Sequence, residues 1–174
     1  MFRKLFIAAT IFAAGPAAAQ DGGAVMLQAM AAGCLNKMDV SAFNTEIYER
    51  AVPQMELQLL NNRSGRVWRT EDPRVVIVDF ESETLCDVMG LNVPVNEFVN
   101  ALTSWLSFEG RAFTVDTDAN LTPDSADGAY FVRKTDAGDY IQVTVTSSPE
   151  NNFIGLNVQR VADSFAAQEV LGED

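Results

Sequence analysis

The residues with most chemistry to offer lie in one short run, "VDTDANLTPDSADG" (residues 115–128). It places Asp116, Asp118, Asn120, Thr122, Asp124 and Asp127 at relative positions 1, 3, 5, 7, 9 and 12. Those are the offsets from which a calcium-binding EF-hand loop draws its oxygens. The rest of that pattern is missing. Position 6 is Leu121, where the loop needs glycine for its turn, and position 8 is Pro123. Position 12 is an aspartate where a reaching glutamate would chelate. The flanks, "RAFTV" and "AYFVRK", read as strands, whereas helices flank an EF-hand. The run therefore reads as an acidic connection between strands, rich in turn-forming Asp, Asn, Pro and Gly, and no metal ligand is assigned in it.

The chain has no histidine. This removes the usual general base, the Ser-His-Asp and Cys-His arrangements, and histidine metal sites. Catalysis by paired carboxylates survives, but 24 acidic residues give no basis for choosing a pair. No glycine-rich phosphate loop of either standard pattern is present, and nothing calls for a cofactor. Cys34 and Cys86 are too far apart for a C-x-x-C redox pair. In an oxidising compartment an even pair reads as a disulfide, Cys34–Cys86.

Positive charge gathers once. "RSGRVWRTEDPR" holds Arg63, Arg66, Arg69 and Arg74 around Trp68. Arginine and tryptophan are common at binding hot spots, so Arg63, Arg66, Trp68 and Arg69 are candidate partner-binding residues. On a strand, however, Arg66 and Trp68 share one face while Arg69 takes the other.

Export is expected from the first residues. "MFRKLFIAATIFAAGPAAAQ" has a basic start, an apolar core and Ala17-Ala18-Ala19 as a cleavage signal, so residues 1–19 read as a cleaved signal peptide. The apolar core is too short to span a bilayer, which takes about 20 apolar residues, and no later run does better. A rival reading takes "AAGC" (31–34) as a lipidation signal at Cys34. The leader carries Arg3 and Lys4 and no acid, so its removal takes the formal charge from −12 to −14. Such charge argues against nucleic acid and against anionic membrane surfaces. Residues 20–174 are then expected as one periplasmic or secreted domain.

The elements that must position these residues follow from periodicity. Residues 24–38 are apolar nearly all round, a buried helix with Asp21 as N-cap. Phe43, Ile47 and Ala51 recur every four residues, which predicts a helix over 42–52 ended by Pro53; "QMELQLL" fits a strand or a further helical turn. "GRVWRT", "PRVVIVDF" and a run around Cys86 read as strands. Pro94 opens a central helix, about 94–107, whose stripe of Val95, Phe98, Val99, Leu102, Trp105 and Leu106 reads as core. "DYIQVTVTS" and "FIGLNVQRV" alternate around the turn "SPENN" and form a long hairpin. A short helix is expected after Asp163. No sequence repeat is visible. The order predicts an α+β domain, an antiparallel sheet with helices packed on one face. The function expected is non-catalytic binding, with an envelope protein as partner; the alternatives are a carboxylate hydrolase or lyase and a calcium-stabilised module.

Overall fold

The computed structural model describes residues 21–40, 43, 45–81, 84–116, 121–122 and 125–173. The described residues open with a helix built in three parts: α1 (Gly22–Ala29), a π-helical stretch (Met30–Leu35) and α2 (Asn36–Val40). Asp21 caps α1 by accepting a hydrogen bond from the Gly23 N–H at 2.9 Å. The π turn carries Cys34 inward to Cys86, where both are fully buried and joined as a disulfide, Cα to Cα 5.4 Å. A Cys34 sulfur engaged in that bond is not free for the thioether that the lipidation reading requires.

Eight strands form one antiparallel sheet in the order β1-β2-β3-β4-β8-β7-β6-β5. They are β1 (Glu49–Arg50), β2 (Gly65–Arg69), β3 (Val75–Phe80), β4 (Leu85–Leu91), β5 (Thr114–Val115), β6 (Tyr130–Lys134), β7 (Tyr140–Ser148) and β8 (Phe153–Val161). Helix α4 (Val95–Ser107) crosses between the two halves. Alternation along the strands sends Ile77, Val88, Val143, Val145, Leu156 and Val158 to one face, under α1 and α4. The α+β architecture expected from the sequence is present.

Among the described residues the opposite face is covered at its two ends, so the helices are not confined to one side. Helix α3 (Pro53–Leu60) seals Val67, Val76, Val78 and Phe80, which is why β3 is buried on both faces. Helix α5 (Phe165–Leu171) packs Ala167 against Val132 and Tyr140. Among the described residues of 42–52 there is no helix; they form a turn and β1, and Ile47 is exposed. Pro53 begins α3 instead of ending its predecessor, because its missing N–H and fixed φ suit the first helical position. "QMELQLL" accordingly belongs to that helix.

The topology repeats although the sequence does not. Strands β2-β3-β4 and β6-β7-β8 are two meanders, and their last strands pair at the centre of the sheet. Asp87 and Asn157, 70 residues apart, lie directly opposite and hydrogen-bond at 2.8 Å. Strands β4 and β8 end at Leu91 and Val161, and helices α4 and α5 begin at Val95 and Phe165, at the same spacing. The strand order and pairing are thus related about the Asp87–Asn157 pair, but the helices are not, since α4 packs on one face of the sheet and α5 on the other.

Candidate functional site: a groove between α1 and α4

Gly23 brings α1 against α4. A Cβ there would lie 2.6 Å from both the Glu97 carbonyl oxygen and the Phe98 Cα, so only glycine permits this approach. Farther along, small side chains leave the helices apart, and an open groove of about 860 Å³ runs between them. Ala24, Leu27, Gln28, Ala31 and Ala32 form one wall, and Ala101, Ser104, Trp105 and Phe108 the other. Asp21 and Glu109 complete the rim. Ala31 and Ala32 belong to the π turn, a distortion often found at functional sites.

The two aromatics are held differently. The Trp105 ring lies beneath Gly110, where an added Cβ would come within 2.4 Å of it, and tilts on Phe113 at 5.7 Å. Its indole nitrogen is buried and has no hydrogen-bond partner among the described residues. Phe108 closes α4 and is 71 % exposed, an unusual position for so large an apolar ring. The sequence assigned Trp105 to the core with Phe98 and Leu102; those two are buried, while Trp105 is half-buried and lines the groove.

The arginine run does not form one patch. Arg63 lies over the Phe80 ring at 3.8 Å, Arg66 pairs with Glu81 at 3.0 Å, and Arg74 grips Asp72 through Nε and Nη2. Trp68 is 9 % exposed and stacks on Phe43 at 5.5 Å, in the core. Arg69 is exposed and makes no ion pair with the described residues. The Arg74 guanidinium holds the Asp72 carboxyl below its ordinary range, against the opposing effect of burial. Arg50 and Lys134 lower Glu56 and Glu173 in the same way, chiefly through direct hydrogen bonds.

Of the calcium-like run, residues 117–120 and 123–124 lie outside the described residues. Asp127 is engaged structurally: its Oδ1 accepts from the Ser147 N–H at 3.1 Å, and its own N–H donates to Ser125 Oγ. Thr122 and Ser125 exchange backbone hydrogen bonds, and β5 and β6 stand on either side. Among the described residues no group of three or more His, Cys, Asp or Glu is placed to hold a metal ion. No described helix is long and apolar enough to cross a membrane.

A half-buried cation also escaped sequence reasoning. Lys37 on α2 donates to Asp79 Oδ1 at 2.6 Å and to the Phe80 and Leu85 carbonyls at 2.7 and 3.0 Å. It ties the N-terminal helix to the β3–β4 connection. The chain matches no family model, no curated protein and no solved structure, so its groove is interpreted from its own residues.

Proposed function

We propose that the chain is a small exported, periplasmic binding domain without catalysis of its own. The groove between α1 and α4 is its ligand site. The observation that carries this reading is the groove itself: about 860 Å³, with alanines and leucine on one side and Trp105 and an exposed Phe108 on the other. Concave, largely apolar surfaces of this size are where proteins take ligands and peptide segments. The buried Cys34–Cys86 bond suits an oxidising compartment, in keeping with the leader-like residues 1–19. Carboxylate catalysis has less support. A general acid needs a raised pKa, whereas Glu56, Asp72 and Glu173 are all pushed down by cations.

The neutral apolar dye Nile red tests the site. Its emission should rise on titration with the wild-type protein. Ala101→Trp, which fills the groove from its half-exposed wall, should weaken binding about tenfold or more, equivalent to ~1.4 kcal/mol, and leave the melting temperature unchanged. Dye binding unaffected by Ala101→Trp would remove the groove as the ligand site.

A further inference from the structure

We propose that the groove's occupant is an amphipathic helix of a partner protein with basic residues flanking its apolar stripe. The inference rests on the groove being a binding site and adds the chemistry of what fills it. Its floor admits an apolar stripe: Leu27, Ala101, Trp105 and Phe108 present carbon, while Gln28 and Ser104 are neutral. Along α4 and its C-cap the groove runs from Asn100 to Phe108, about 12 Å at 1.5 Å per residue. That length accepts about two helical turns, enough for anchors at i, i+3 or i+4, and i+7.

The rim supplies the sign of the charge. Asp21 and Glu109 are its ionisable residues, and among the described residues no lysine or arginine lines the groove. Beyond Asp21 stands a cluster with more acid than base: Arg74 feels Asp72, Glu97 and Asp21 together. The whole chain carries a formal charge of −12. A helix with basic flanks is drawn to such a rim and an acidic one is repelled, most strongly in the rate of encounter. A free fatty acid would fit the apolar floor but bring its carboxylate to an acidic rim, so it is the disfavoured occupant.

The test uses two designed peptides of about 14 residues, matched in their leucine stripe and differing only in lysine or glutamate flanks. Calorimetric titration into the wild-type protein should give the lysine peptide a Kd about tenfold or more below that of the glutamate peptide at about 50 mM salt. The gap should shrink at about 300 mM salt, where exposed charges are screened, and in D21N/E109Q; asparagine preserves the α1 cap. Equal affinity for both peptides would overturn the charge assignment and leave the groove standing. Binding of Nile red or a fatty acid but of neither peptide would overturn the helix as occupant. Failure of the dye as well would overturn the binding site itself.

Discussion

Gly23→Ala puts the helix crossing to a quantitative test. The new Cβ would meet the Glu97 carbonyl oxygen and the Phe98 Cα at 2.6 Å, where ordinary contact begins at 3.4 Å. Both obstacles are backbone atoms, so no side chain can rotate away, and α4 must move off by about 0.8 Å. Two effects compete. Alanine favours the helix by about 0.5–1 kcal/mol because glycine loses more backbone freedom on folding. Overpacking a tight contact costs about 1–3 kcal/mol. The steric cost wins, since the displaced element carries buried Phe98 and Leu102 into the main core. The net loss should be about 1–2 kcal/mol, or roughly 2–8 °C in Tm for a chain of this size. Urea and thermal unfolding followed by circular dichroism will measure it, and Nile red affinity should change in the same variant. A Gly23→Ala protein as stable as wild type, or more so, would refute the crossing geometry and with it the groove's shape.

Two further predictions concern the core. The Tyr48 hydroxyl is buried with no hydrogen-bond partner among the described residues, and burial pushes its pKa to about 12. The folded state thus favours the neutral phenol: that stability is complete below pH ~10 and is lost as pH rises from there toward 12. Tyr48→Phe should be neutral or slightly stabilising at pH ~7 and should flatten the alkaline loss; melts at both ends of the range will decide, and a clear destabilisation at neutral pH would mean the hydroxyl is satisfied. The disulfide closes a loop of sequence separation 52, worth about 4 kcal/mol in the chain-entropy model. C34A/C86A should therefore melt roughly 8–16 °C lower, and a drop under ~3 °C would contradict that ledger.

What was legible in the sequence was what periodicity and caps encode. Strands β7 and β8 announce themselves because Ile141, Val143 and Val145, and Ile154, Leu156 and Val158, alternate with polar residues that face away from the core. Asp21 and Pro94 mark real helix starts. Periodicity misled over 42–52, where Phe43, Ile47 and Ala51 share a spacing but not a face: Phe43 stacks on Trp68 while Ile47 is 54 % exposed. The groove was hidden for a related reason. Trp105 continues the stripe of Phe98 and Leu102 and packs against the core, and only the three-dimensional splay of α1 and α4 leaves its other side lining the groove. A signal was present: Ala24, Ala31, Ala32 and Ala101 are too small to fill the space between two helices that elsewhere carry Met26, Met30 and Phe98. The arginine run does not gather into one patch, since Arg63, Arg66 and Arg74 point to Phe80, Glu81 and Asp72 separately.

The central claim is the location of the ligand site, and mapping chemical shifts by NMR tests it most directly. Titrated with Nile red or the lysine-flanked peptide, the protein should show its largest changes at the Trp105 indole N–H, which makes no hydrogen bond to the described residues, and at the methyls of Leu27, Ala31 and Ala101. Changes centred instead on Arg66 and Arg69 in β2, with Trp105 undisturbed, would contradict it.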